Sequence, residues 1–276
     1  MYDEIFICVN DIELQPEALV AASKFSERFS AVLNGSYLKL DAADLWGWQR
    51  GDPMALAKQF LADQEAREDL TKAEFDALTQ KYACHTTWNT LSKYNDHLKR
   101  SICSDIIFAN QPQKSDSGSI GTLPYINRLI IESHRPVIMI PHNWGEASIG
   151  SRVLLGWNSS PEAMRATSDA MPILQTADSV MVVDIVKEHM FQTADDLSPG
   201  IETYLNSKNV AHVLSVIHAD AGRNGEQLAF SKFANDNDVD LIVVGGYGHS
   251  RLTELILGGM TKHLIENSTV PVLFSH

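Results

Sequence analysis

Short apolar runs recur along the whole chain, and polar or amphipathic segments separate each run from the next. Ten of these runs have the length and the bounding residues typical of buried parallel strands. They lie at residues 5–9, 37–40, 83–88, 105–109 and 136–140, and again at 153–157, 180–183, 213–217, 240–244 and 270–274.

The segments between the runs show the 3.6-residue spacing of amphipathic helices. Pro16-Glu17 opens one helix, whose apolar face continues to Leu33 before Asn34-Gly35 ends it. Ser160-Pro161 opens another, with a capping serine followed by proline at the first helical position. Strands that alternate with helices in this way predict an α/β fold, with helices on both faces of a parallel sheet.

The second half of the chain repeats the first. Asp105 and Asp240 stand 135 residues apart, and so do Pro136 and Pro271. Agreement at one fixed offset over this length indicates an internal duplication. The first half is longer by 13 residues, and we place these extra residues in an insertion between Trp46 and Tyr82.

The duplication predicts two tandem domains, residues 1–142 and 151–276, joined by a short linker that contains Gly145 and Gly150. The first apolar run of each half reaches an asparagine, Asn10 in one half and Asn158 in the other.

Composition and charge narrow the range of partners. The formal net charge of −13 argues against a general nucleic-acid or anionic-membrane surface. No apolar run approaches the length of a membrane span, and the N-terminus lacks the basic region of a signal peptide. The three cysteines share no metal-ligand spacing. We therefore expect a cytoplasmic protein with no metal site, no nucleic-acid partner and no membrane partner.

A glycine-rich segment follows the strand at 240–244. Gly245 and Gly248 form a turn, and Gly258-Gly259 interrupts the helical pattern about two turns later. Such a strand–turn–helix arrangement aims backbone N–H groups at an anion and could hold a di- or triphosphate. The alternative is that these glycines serve the turns alone, because turns often need a positive φ.

The repeat decides which half could hold phosphate. At the offset of 135, the four glycines fall on Asn110, Gln113, Leu123 and Pro124, and Thr261 falls on Ile126. None of these residues is glycine or carries a hydroxyl group, and proline has no N–H to donate. We therefore expect a phosphate site in the second half only, with a degenerate glycine motif in the first.

The glycine spacing resembles the universal stress protein family in its tandem bacterial form. Nucleotide-binding members carry glycine, two residues, glycine, nine residues, glycine, and then serine or threonine; Gly245, Gly248 and Gly258 fit this pattern. The resemblance implies two Rossmann-like domains, each a five-stranded parallel sheet flanked by helices, packed as an intramolecular pseudo-dimer. It also implies pairing of the strand at 137–140 with that at 272–274, and it allows a further homodimer.

The resemblance also implies an adenine nucleotide, ATP with or without magnesium, in the second domain. Gly156, Trp157 and Asn158 would lie beside the adenosine and Ile185 beside the base, and we nominate Asp184 for a ribose hydroxyl. The remaining implied ligand contacts are Gly245, Gly248, His249, Arg251, Gly258, Gly259, Met260 and Thr261.

Three functions stay open at this point. The first is a stress-response protein that binds ATP for sensing or regulation. The second is a scaffold that acts through protein–protein contacts, favoured by the asparagine at 158, the bulk of Trp157 and the missing hydroxyl at Gly259. The third is an adenylyl-chemistry enzyme or slow ATPase. The chain has no P-loop motif, no nucleophile elbow and no catalytic base that we can name, so any hydrolysis is expected to be slow.

Overall fold

A computed structural model describes residues 1–10, 15–39, 53–112, 122–145, 147–187, 199–220, 222, 224–246 and 259–276. In chain order the elements are β1 (Glu4–Cys8), α1 (Glu17–Phe29), β2 (Val32–Leu38), α2 (Pro53–Thr79), β3 (His85–Leu91), α3 (Tyr94–Ile102), β4 (Ile106–Asn110), α4 (Thr122–Glu132), β5 (Val137–Ile140), β6 (Arg152–Gly156), α5 (Pro161–Asp169), α6 (Met171–Leu174), β7 (Ser179–Lys187), α7 (Pro199–Ser207), β8 (Val213–Ala219), α8 (Gly225–Asp236), β9 (Leu241–Gly245), α9 (Gly259–Asn267) and β10 (Val272–Ser275). They belong to two compact units, Met1–Phe108 and Ala109–His276.

The first unit is built on parallel strands in the order β3-β2-β1-β4. β1 lies between two neighbours, so Ile5 pairs with Leu33 on one side and with Ile106 on the other. The aromatic rings of Phe25 and Phe108 meet edge to face at 5.2 Å in its core. Burial on both faces of the sheet explains why β1 and β4 are almost continuously apolar.

The second unit has the parallel order β8-β7-β6-β9-β10, and β5 continues the sheet beyond β10. β5 runs antiparallel to β10, with Ile138 opposite Leu273. The pairing of these two strands, expected from the family resemblance, is therefore confirmed. The mostly parallel α/β sheet expected from the alternating pattern is confirmed as well.

The two units divide the chain at Phe108, earlier than the repeat would place a boundary. α4 and β5 fall in the second unit because β5 pairs with β10. In addition, Gln111 Nε2 donates hydrogen bonds to two carbonyl oxygens, those of Ile265 and Ser268. The division of the sequence into 1–142 and 151–276 stays a prediction about its duplication.

The two repeated aspartates perform the same task at the start of corresponding strands. Asp105 Oδ2 accepts hydrogen bonds from the backbone N–H groups of Asp3 and Glu4. Asp240 accepts three such bonds, from residues 150–152 at the start of β6. A carboxylate that accepts hydrogen bonds from several backbone N–H groups joins the beginning of one strand to that of its neighbour. This shared role gives the offset of 135 between Asp105 and Asp240 a structural basis.

The helix predicted to run from Pro16 to Leu33 is shorter than expected. α1 ends at Phe29, and Ser30 takes a left-handed conformation with φ of 55°. Leu33 and Gly35 then lie inside β2, so the helix end predicted at Asn34-Gly35 is wrong. An added Cβ at Gly35 would lie 2.7 Å from the Phe75 ring, so glycine here allows close packing of α2 against the strand. The apolar spacing continues from α1 into β2, so the sequence pattern does not reveal the turn at Ser30.

The predicted insertion between Trp46 and Tyr82 is helical over α2, while its residues 46–52 lie outside the described part of the chain. Among the described residues, no helix is both long enough and apolar enough to cross a membrane.

Candidate functional site

A cleft opens in the second unit, where the carboxyl ends of β6, β7 and β9 meet the first turns of α5, α8 and α9. Its volume is about 320 Å³, within the range of small-molecule pockets in proteins. The carboxyl edge of parallel strands is where open α/β sheets bind ligands. Eight of the residues implied by the resemblance line this cleft: Gly156, Trp157, Asn158, Ile185, Gly245, Gly259, Met260 and Thr261.

Gly156 ends β6 in a crowded position on the floor of the cleft. An added Cβ would lie 2.9 Å from Val244 Cγ1 and 3.3 Å from Phe230 Cζ. Glycine therefore lets β9 and α8 close over the end of β6. A larger residue would displace the apolar side chains that form this wall.

Trp157 continues the chain from β6, and its backbone N–H donates to Val183 O over 2.8 Å. Its side chain is only 7% exposed, so it packs into the protein while one part of it lines the cleft. The cleft persists beside the indole ring, so the bulk of Trp157 does not fill it. The indole Nε1 is buried and has no hydrogen-bond partner among the described residues.

Asn158 serves the turn into α5. Its Oδ1 accepts a hydrogen bond from Ser160 N over 3.2 Å, and Ser160 Oγ accepts one from Ala163 N over 3.1 Å. The predicted capping serine of α5 is therefore confirmed. Asn158 itself is exposed at the rim of the cleft, where its amide group can also meet a ligand.

Gly245 has a packing role that the glycine spacing alone did not reveal. A Cβ at this position would lie 2.5 Å from the backbone carbon of Glu162 and 2.7 Å from Ala163 N. Because those are backbone atoms, they cannot move aside without shifting α5. Gly245 thus sets how closely the first turn of α5 approaches the end of β9.

The described part of α9 starts at Gly259, and Gly259, Met260 and Thr261 in its first turn line the cleft. Thr261 is only 5% exposed, while Met260 is half-buried. An added Cβ at Gly259 would meet the flexible Gln227 Nε2 at 2.9 Å. The N–H groups of a first helical turn lack partners within the helix and favour an anion.

Asp184 lies on β7 and lines the cleft beside Ile185. Burial raises the pKa of its carboxyl group, and a hydrogen bond from Ile185 N, 2.8 Å from Asp184 Oδ1, acts in the opposite direction. A half-buried carboxylate in this position can accept hydrogen bonds from hydroxyl groups.

The sequence profile of the universal stress protein family matches residues 151–276, and this range contains every residue of the cleft. Residues 151–276 are a universal stress protein domain.

Among relatives with curated names, universal stress protein Slr1230 from Synechocystis sp. (strain ATCC 27184 / PCC 6803 / Kazusa) is 36% identical over 45 residues. That match covers 16% of this chain and 16% of the relative, so the chain spans less than a fifth of the relative's length.

Solved structures resemble the chain at low sequence identity. A universal stress protein from Archaeoglobus fulgidus DSM 4304 matches with a TM-score of 0.76 at 14% identity, covering 99% of this chain and 96% of that one. At this identity the likeness concerns the fold, and it extends over both units. A universal stress protein solved in complex with cAMP matches over 46% of this chain and 97% of its own, with 19% identity and a TM-score of 0.33.

Several residues of the universal stress protein domain line the cleft without having been predicted. They are Ser160, Glu162, Ala163, Val183, Glu226, Gln227, Phe230 and Val244. Those on α5 could have been found, because the Ser160-Pro161 signal fixes where that helix starts. The start of α8 near Glu226 was also predicted, but its N-cap, Asn224, makes no side-chain capping hydrogen bond and lies in a left-handed conformation with φ of 67°.

Four predicted ligand contacts, Gly248, His249, Arg251 and Gly258, fall in the segment 247–258, which lies outside the described residues. Their roles stay predictions from the resemblance.

The corresponding positions of the first unit are arranged differently. With Asn10 aligned to Asn158, Cys8 takes the place of Gly156. Asn10 Nδ2 donates to Leu38 O over 2.6 Å, and Asn10 Oδ1 accepts from Leu38 N over 2.8 Å. The side chain that stays at the rim in the universal stress protein domain is here used to join β1 to β2.

Proposed function

We propose that the cleft of the universal stress protein domain binds an adenine nucleotide, with ATP and AMP as the first candidates. The protein would then act as a cytoplasmic sensor or regulator in a stress response. One observation carries the proposal: three helix first turns converge on an apolar floor at the carboxyl edge of a parallel sheet. The apolar floor and the first turn of α9, which has no acidic residue, together suit a ligand with a flat base and an anionic group.

The residues present fit the two ends of such a ligand. Val183, Ile185 and Phe230 offer apolar surface to a base. At the other end, the first turn of α9 offers backbone N–H groups and the Thr261 hydroxyl to a phosphate.

We assign no catalytic step to the cleft. Its described titratable lining residues are Glu162, Asp184 and Glu226, and none of them forms a hydrogen-bonded pair with a nucleophilic side chain in the part of the chain that is described. Activation of an attacking group normally uses such a pair. We accordingly propose ligand binding, with slow hydrolysis at most. Partner proteins would recognise the ligand-bound form of the protein.

The first test asks whether nucleotide is bound at all. Purified protein is denatured and any released nucleotide is identified, and ligand-free protein is then titrated with ATP and AMP, each with and without magnesium. We expect saturable binding of at least one ligand. If no nucleotide co-purifies and none binds saturably at millimolar concentration, the proposal fails and the scaffold function takes its place.

The second test locates the phosphate end of the ligand. Thr261→Val keeps the shape of the side chain and removes its hydroxyl, and loss of a hydrogen bond to a charged group should weaken binding by about tenfold. The matched control is Thr269→Val, because Thr269 is exposed beyond α9 and bonds only to Asn235 Oδ1 in the described structure. Equal affinity of the two variants would show that Thr261 does not contact the ligand.

A further inference from the structure

The three helix first turns that face the cleft differ in charge. α5 carries Glu162 and α8 carries Glu226 in the first turn, whereas the first turn of α9 has no acidic residue. A carboxylate at a helix N-terminus already satisfies the positive end of the helix dipole. Of these three termini, only α9 therefore keeps its attraction for a ligand anion.

The rest of the described lining does not offset these acids. Asp184 adds a third carboxylate, and the described lining residues include no lysine, arginine or histidine. Arg251, which the resemblance implies as a ligand contact, lies outside the described residues, and its single positive charge is smaller than the summed charge of the three carboxylates. All three carboxylates are half-buried, so water screens them less than it would screen charges on an open surface.

We propose that Glu162 and Glu226 make this cleft selective for adenine ligands of low phosphate charge. The favoured class is the nucleoside, the monophosphate and the cyclic monophosphate, and free triphosphate is disfavoured unless a divalent cation neutralises part of its charge. This inference rests on the proposed function. One phosphate group can lie at the first turn of α9, whereas each further phosphate adds negative charge inside a cleft that already carries three carboxylates.

Asp184 supports the same view of the cleft. Burial raises the pKa of its carboxyl group, which shows that solvation of negative charge is already reduced at this wall. A second anion brought to the same region would meet the same unfavourable solvation, with like-charge repulsion in addition.

The test compares affinities for adenosine, AMP, cAMP and ATP without divalent cations, and for ATP with magnesium. The full-length protein is compared with Glu162→Gln, Glu226→Gln and the double variant. The control is Glu202→Gln, an exposed acid in the first turn of α7 that does not line the cleft. Thermal unfolding confirms that each variant is folded.

For the unaltered protein we expect AMP to bind about tenfold more tightly than magnesium-free ATP. The double variant should lose most of this preference for AMP, while its affinity for adenosine should change little. The control variant Glu202→Gln should keep the full preference for AMP. Raising the salt concentration should likewise reduce the preference of the unaltered protein for AMP over magnesium-free ATP, because the repulsion is electrostatic.

Two results overturn the inference and can be told apart. If magnesium-free ATP binds as tightly as AMP, or if the double variant keeps the full preference, the selectivity is wrong while nucleotide binding stands. If none of the four ligands binds to the unaltered protein, the proposed function fails, and the inference fails with it.

Discussion

Beside the cleft, two glycines are packed so closely that a single added carbon atom would disturb the packing. A methyl group added to Gly245 would run into the backbone of α5, and one added to Gly156 would press on Val244 and Phe230. These glycines are explained by close approach rather than by φ, since neither has a positive φ angle. Gly245, which belongs to the glycine spacing, and Gly156 therefore both serve to assemble the walls of the cleft.

Gly245→Ala should lower the free energy of unfolding by about 1–3 kcal/mol, because the added methyl group overpacks a backbone contact. Urea denaturation measures this difference. The matched control is Gly145→Ala, since an added Cβ at Gly145 meets nothing within 4 Å. Equal stability of the two variants would show that α5 can shift at little cost.

His97 is a buried residue of the first unit, and its titration makes the folding stability depend on pH. Its side chain is fully buried, its ring meets Phe6 edge to face at 5.0 Å, and its Nε2 lies 3.4 Å from Ser36 O. Burial lowers the pKa of its ring to about 4, from an ordinary value of 6.5.

Between pH 6.5 and pH 4 the unfolded chain therefore binds more protons at this residue than the folded chain does. The contribution of His97 to the free energy of unfolding is fully present above pH 6.5. This contribution should decline by about 3 kcal/mol as the pH falls to 4. In His97→Phe this part of the pH dependence should vanish, whereas His85→Gln, at an exposed histidine, should keep it. An unchanged pH profile in His97→Phe would contradict the assignment.

At the scale of elements, a few polar side chains hold the helices around the cleft. The Ser160 hydroxyl caps α5, and the buried Gln111 side chain holds the C-terminal end of α9. Gln111 Oε1 also accepts a hydrogen bond from His142 N, so the chain after β4 and the chain after β5 are both joined to the helix that carries Thr261.

Gln111→Leu should reduce the free energy of unfolding by about 1–3 kcal/mol, because it leaves buried backbone groups without partners. Gln175→Leu is the control, since Gln175 makes one exposed hydrogen bond, to Lys208 O, and should change stability by less than about 0.5 kcal/mol. Both are measured by urea denaturation. A Gln111 variant as stable as the control would mean that water or a rearranged side chain replaces these bonds.

Most elements were predictable because their signals are local. The buried runs of β4 and β9 and the capping serine of α5 each act within a few residues. The turn at Ser30 was missed because helix and strand share one apolar spacing there. The acids of the cleft were missed because their importance depends on which helix termini the fold brings together.

At the scale of the whole molecule, the two units share a strand order, with β3-β2-β1-β4 in one matching β8-β7-β6-β9 in the other. The carboxyl end of the first strand differs between them. Cys8 stands where Gly156 stands in the second unit, and Asn10 joins β1 to β2. Because the two units share a strand order but differ at this strand end, we expect the proposed ligand binding in the second unit alone.

Hydrogen exchange with and without saturating AMP tests this expectation most directly, because it reports binding and its location together. We predict slower exchange in the segments that line the cleft: residues 156–163, 183–185, 226–230 and 259–261. Residues 8–10 and 36–39 of the first unit should exchange at the same rate in both samples. Protection of the first-unit segments, or saturable binding with no protection around the cleft, would contradict the account.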